Sequence, residues 1–123
     1  MTSAINWFEI PVIDMDRAQV FYEKVLGRKL KREDFGGEAL AVFPHDEPAI
    51  GGCLMAGGHR ADESGSGIRI YLDCMPSIDA VLSRVVAAGG QIVAPKSALP
   101  AEMGFIAHLR DTEGNEVGLH ALA

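Results

Sequence analysis

The chain has 123 residues, 48% of them apolar and 23% charged, which is the balance of one soluble globular domain able to bury roughly two-thirds of its unfolded surface. Eleven Lys and Arg against seventeen Asp and Glu leave a net charge of −6, so a basic footprint for nucleic acid is missing. Apolar runs fall short of the ~20 residues of a membrane span, and MTSAINWFEI lacks the basic and apolar regions of a signal peptide, so the expectation is a cytoplasmic protein with no membrane or nucleic-acid partner.

In chain order, a first strand carries Phe8, Ile10 and Val12 alternating with Trp7, Glu9 and Pro11. A helix follows: Asp14 is its N-cap, Asp16 complements its positive end, Ala18, Phe21, Tyr22 and Val25 share a face, and Gly27 stops it. Three strands come next, over Arg28 to Asp34, Ala39 to Phe43 and Ile50 to Met55, the last two joined through HDEPA. The small and polar stretch AGGHRADESGSG, residues 56 to 67, reads as a linker.

The second half repeats the first. A strand with Ile68, Ile70, Leu72 and Cys74 on one side and Arg69, Tyr71 and Asp73 on the other leads to Ser77, a second N-cap. Ile78, Val81, Leu82 and Val85 form the helical stripe, Gly89 and Gly90 end it, and strands follow over Gln91 to Ala94, Phe105 to Arg110 and Glu116 to Ala121. The last pair is joined by DTEGN, a hairpin signature. Asp14 and Ser77, Asp16 and Asp79, and Gly27 and Gly90 are all 63 positions apart. The chain is therefore one α+β domain, 1–123, of two tandem βαβββ units, about 1–55 and about 68–123, with helices packed on the apolar sheet faces.

The opposite faces hold the candidate site. Glu9, Arg69, Tyr71 and Asp73 point there, His120 joins them by alternation with Leu119 and Ala121, and Trp7 is too large an aromatic to leave in water. A curved sheet enclosing a cleft satisfies these residues. A guanidinium at Arg69 must meet a carboxylate, Glu9 or Asp73, or an anionic group of a ligand. Trp7 and Tyr71 either stack on a planar ligand or close a core. His108 either carries a proton or donates a structural hydrogen bond. Cys53 and Cys74 read as small buried hydrophobes, with close backbone approach at the Gly51-Gly52 pair before Cys53. His45 and His59 read as solvated, Met55 and Met103 as adaptable residues at the cleft edge, and Glu102 as a mobile gate residue.

The runs DMDRAQVFYEKVLG and DTEGNEVGLH, with GGCLM and AAGGQIVAPK, resemble the vicinal oxygen chelate superfamily over the whole chain, most of all its single-domain glyoxalase, bleomycin-resistance and dioxygenase-like branch. The resemblance implies a curved mixed sheet, a homodimer, and in the enzymes a divalent metal held by His, Gln or Glu of the first, fourth, fifth and eighth strands. Carried over, those positions fall on Trp7, the Gly51-Gly52-Cys53-Leu54 stretch, Arg69 or Gly67, and Gly118, where Trp, Arg and Gly give no donor to a cation. The first expectation is thus a protein without a cofactor that binds a small planar or anionic molecule through Trp7, Glu9, Arg69, Tyr71, His108 and His120. The alternative is a metal-dependent lyase, isomerase or dioxygenase with relocated ligands Glu9, His108 and His120, other than a glutathione-dependent glyoxalase I. A third reading is an interaction module whose cleft is filled by its own side chains.

Overall fold

The computed structural model describes residues 3–56 and 67–123, so most of the expected linker, with His59, lies outside the described residues. The order among them is β1 (Ile5–Val12), α1 (Met15–Leu26), β2 (Lys31–Phe35), β3 (Glu38–Val42), β4 (Gly51–Ala56), β5 (Arg69–Asp73), α2 (Ile78–Val85), β6 (Gln91–Ala98), β7 (Phe105–Arg110) and β8 (Glu116–Ala121). This is twice βαβββ. The chain forms two compact units, one of Trp7–Ile68 and one of Arg69–Ala123 together with the N-terminal residues to Asn6.

In the first unit the strand order is β2-β3-β4-β1, with β1 parallel to β4 and the other neighbours antiparallel. Asp14 caps α1 by accepting a hydrogen bond from the Arg17 N–H at 3.1 Å, and Gly27 ends it in the left-handed region at φ 66°. The helix buries Met15 and packs Ala18 and Tyr22 against Ile10, Val12, Ala41 and Leu54. Phe21 and Val25, expected on that face, are instead exposed, because the buried stripe runs through 15, 18 and 22 and places 21 and 25 beyond its rim. The strand after α1 begins at Lys31 rather than Arg28, since Gly27 and the hydrogen bond from Leu30 N–H to the Glu23 carboxylate (2.8 Å) use the intervening residues as a turn.

The second unit has the order β5-β8-β7-β6, with β5 parallel to β8. The Asp73 N–H donates to the Ala4 carbonyl at 3.0 Å, which fixes the chain's start against β5. Ser77 caps α2 by accepting from the Ala80 N–H, and Ile78, Val81, Leu82 and Val85 face the sheet as expected. The core beneath is Leu72, Cys74, Phe105, Ala107, Leu109, Leu119 and Ala121, one alternate face of each of three strands. Ile68 and Ile70, assigned to that face, are exposed, because the eight-residue α2 does not extend over them. The strand predicted over Gln91 to Ala94 continues to Ala98 through two register shifts, one between Ile92 and Ala94 and one between Ala94 and Ser97, the second of which spans Pro95, a residue without a ladder N–H. Both cysteines are buried and free.

Candidate functional site

Alternation along β5, β8 and β7 commits one face of the second unit to the core, and the other face receives Arg69, Tyr71, Asp73, Glu116, Gly118, His120, His108 and Arg110. Register aligns these residues into rows across the strands. Tyr71 lies opposite Gly118, which lies opposite His108. Two strand spacings, roughly 9.5 Å, separate the outer members of that row, so their side chains meet only if the middle residue leaves the space clear. Gly118 does so: a Cβ there would stand closer than 3.0 Å to the Tyr71 ring. The ring lies across the glycine, 5% exposed, and its hydroxyl shares a 3.0 Å hydrogen bond with His108 Nε2, the ring centroids being 5.7 Å apart.

The adjacent row is ionic. Arg69 Nη2 donates to Glu116 Oε1 at 3.2 Å, and Arg110 Nη2 stands 3.7 Å from Glu116 Oε2. Arg69 is 7% exposed, and a guanidinium taken that far from water needs such a carboxylate. Of the two protein partners expected for Arg69, Asp73 is used locally, accepting from the Met75 N–H at 3.0 Å. Glu116 was legible by the same parity that placed His120 on this face.

The third row holds His120. Asn6 Nδ2 donates to its Nδ1 at 2.9 Å, and its Nε2 donates to the Met103 carbonyl at 2.7 Å. The two contacts together select the neutral tautomer protonated on Nε2 and occupy both ring nitrogens. Glu102, the expected gate residue, is exposed and, like Ala101, holds a positive φ of 56°, which a side chain adopts at some cost.

Trp7 and Glu9 belong to the first unit. Trp7 meets His45 edge to face, with centroids 5.8 Å apart. His45 is exposed, as expected, and its ring also lies over Gly51, where a Cβ would stand closer than 3.0 Å to the imidazole; Phe8 lies likewise over Gly52. What approaches the Gly51-Gly52 pair is therefore two aromatic rings, where backbone was expected. Glu9 is buried at 6% exposure and lies in register with Cys53. Burial, with the Glu9 charge beside it, pushes the Cys53 thiol up to about 12, so it stays protonated and is a poor metal ligand or nucleophile.

The residues fit a metal poorly. At Gly118 the space a ligating side chain would occupy is filled by Tyr71, at Gly51 by His45, and the Cys53 thiol is held protonated. In the relocated set, His120 has both nitrogens engaged and His108 Nε2 is bonded to Tyr71. Among the described residues no three His, Cys, Asp or Glu side chains converge in a way that could hold a metal ion.

Among the described residues, no helix is long and apolar enough to cross a membrane. A search of the curated proteins found no match. Among solved structures, a hypothetical protein from Bacillus halodurans superposes with a TM-score of 0.70 at 21% identity, covering 95% of this chain and 92% of that one. Methylmalonyl-CoA epimerase from Mycobacterium tuberculosis gives 0.63 at 20% identity, covering 100% and 93%. A variant of the Streptomyces coelicolor methylmalonyl-CoA epimerase in complex with 2-nitronate-propionyl-CoA gives 0.64 at 17% identity, covering 98% of each. At these identities the likeness is one of fold. The sequence also matches, over residues 4–119, the profile of the Glyoxalase/Bleomycin resistance protein/Dioxygenase superfamily, and the chain belongs to that superfamily.

Proposed function

We propose that the chain binds a small planar or anionic molecule on the polar face of β5, β8 and β7, with Tyr71 and His108 as the hydrogen-bonding pair and the Arg69–Glu116–Arg110 row as the cationic edge. The observation that carries this reading is the Tyr71–His108 hydrogen bond laid across Gly118. A buried phenol and an imidazole joined this way form a polar centre on an otherwise close-packed sheet, beside two guanidinium groups that share one carboxylate. His120 completes the set within this unit, ordering Asn6 and the Met103 carbonyl. The solved relative in complex with 2-nitronate-propionyl-CoA carries a ligand with an anionic nitronate, which agrees with an anion preference.

The test is thermal stabilisation of chelator-treated protein by a panel of benzoates, phenolates and small dicarboxylates, each beside its neutral amide. Stabilisation should follow RT ln(1 + [L]/Kd), favour the anions, and be lost in Tyr71→Phe and in Arg110→Ala. Equal stabilisation by amides and anions, or stabilisation only after a divalent metal is restored, would overturn it.

A second reading is favoured by the same hydrogen bond: an imidazole bonded to a phenol is equipped to move a proton, so a bound carbon acid would exchange its acidic C–H through His108. Deuterium wash-in from heavy water, absent in His108→Gln, tests it. The apolar residues left exposed on α1, Val20, Phe21 and Val25, support a homodimer, and a light-scattering mass of one chain at micromolar concentration would contradict that. Two free buried cysteines agree with a cytoplasmic setting.

A further inference from the structure

The first unit carries a second concentration of polar chemistry that the reading above does not use. A surface groove of about 560 Å³ is lined by Arg28, Lys29, Pro44, His45 and Asp46. A further groove of about 340 Å³, lined by Val20, Glu23, Lys24, Gly27, Arg28 and Lys29, shares its two cationic residues. The larger falls in the range of small-molecule sites.

Local structure explains why charge gathers there. Gly27 turns the chain out of α1 in the left-handed conformation, so Arg28 and Lys29 leave the helix as a consecutive pair before β2 begins. Among the described residues no carboxylate lies within ion-pair distance of either, whereas Arg32, Arg69, Lys96 and Arg110 are each paired. The nearby Glu23 carboxylate accepts from Leu30 N–H at 2.8 Å and from Gln19 Nε2 at 3.2 Å, and it feels the Lys29 charge more weakly than those two hydrogen bonds. His45 is the fixed element. Its Nδ1 stands 3.0 Å from the Phe43 carbonyl and donates to it, its ring lies over Gly51, and its edge contact with Trp7 holds it from a further side. The proton on Nδ1 leaves Nε2 as the nitrogen that can serve a ligand, as an acceptor when neutral and as a donor when the ring is charged.

We propose that this groove binds a phosphate-bearing small molecule, with Arg28 and Lys29 on the phosphate oxygens and His45 Nε2 as a third polar contact. Two cations and an imidazole suit a phosphate dianion with three terminal oxygens better than a carboxylate with two. The groove's volume leaves room for an organic group attached to the phosphate. Asp46 lines the same groove and opposes the anion, so it provides a control of opposite sign. The site is independent of the one on β5, β8 and β7, and either can fail alone.

The test is an amide and imidazole NMR titration of the full chain with inorganic phosphate, pyrophosphate and phenyl phosphate, at ionic strength held constant with chloride. The site predicts saturable shifts of Arg28, Lys29 and the His45 ring. Tighter binding of phenyl phosphate than of the inorganic anions would assign an organic phosphate, and the reverse order a free phosphate or polyphosphate. The double variant Arg28→Ala/Lys29→Ala, whose side chains lie outside both cores, should keep its melting temperature and weaken binding roughly tenfold, the sum of two exposed ion contacts. Asp46→Asn should tighten it by about threefold. Shifts that chloride alone reproduces, unchanged affinity in the double variant, or weaker binding in Asp46→Asn would each overturn the proposal.

Discussion

Replacing Gly118 with alanine puts one methyl group where the Tyr71 ring lies, and the structure sets the size of the effect. The new Cβ would stand closer than 3.0 Å to the ring, which is 5% exposed, so the ring has to shift within a packed sheet face. Overpacking of this kind costs about 2 kcal/mol, and a shift large enough to break the 3.0 Å bond to His108 adds about 1 kcal/mol more. At this chain length a total of about 3 kcal/mol lowers the melting temperature by roughly 10 °C. The assay is urea unfolding of a double-mutant cycle with Tyr71→Val. With the ring removed, Gly118→Ala should cost nothing or stabilise by about 0.5 kcal/mol, because glycine is entropically unfavourable inside a strand. The coupling energy should therefore be about 3 to 3.5 kcal/mol. If Gly118→Ala costs the same with and without the Tyr71 ring, the glycine is there for another reason and the row does not work as argued.

Glu116→Gln removes the charge between Arg69 and Arg110, and because Arg69 is buried the loss should be about 2 kcal/mol in urea unfolding and nearly independent of salt. Asp111 accepts from the Asn115 side chain and from the backbone of Asn115 and Glu113, which holds its carboxyl below the usual range. A depressed folded-state pKa contributes stability above the unfolded value near 3.8 and loses it as pH falls through the lower folded value, so Asp111→Ala should flatten the acid limb of the stability profile. With its thiol held near 12 and fully buried, Cys53 should resist iodoacetamide in the native protein and react once urea unfolds it, as followed by mass spectrometry.

Features written in local chemistry were legible from the residues. Asp14 and Ser77 are caps because a short oxygen side chain before an apolar stripe serves a helix's first N–H groups, and both do so. Alternation placed Arg69, Tyr71, Asp73 and His120 on one face and would equally have placed Glu116 and His108 there. Properties set by neighbours distant in sequence were not legible. The helical period does not say where the buried stripe is centred, so Phe21 and Val25 were assigned inward. The Gly51-Gly52 pair announced close approach without saying that the rings of His45 and Phe8 make it, and Gly118 gave no sign of the Tyr71 ring that lies over it. That Tyr71 reaches His108 depends on the register of three strands, which follows from pairing across 37 residues.

The claim that Tyr71 and His108 receive a small anion is tested most directly by the imidazole NMR signals of His108 in chelator-treated protein, recorded against the benzoate, phenolate and dicarboxylate panel and its neutral amides. Saturable shifts with anions only, abolished by Tyr71→Phe, are the expected result. Shifts of equal size with the amides, or shifts that appear only when a divalent metal is added, would contradict the account.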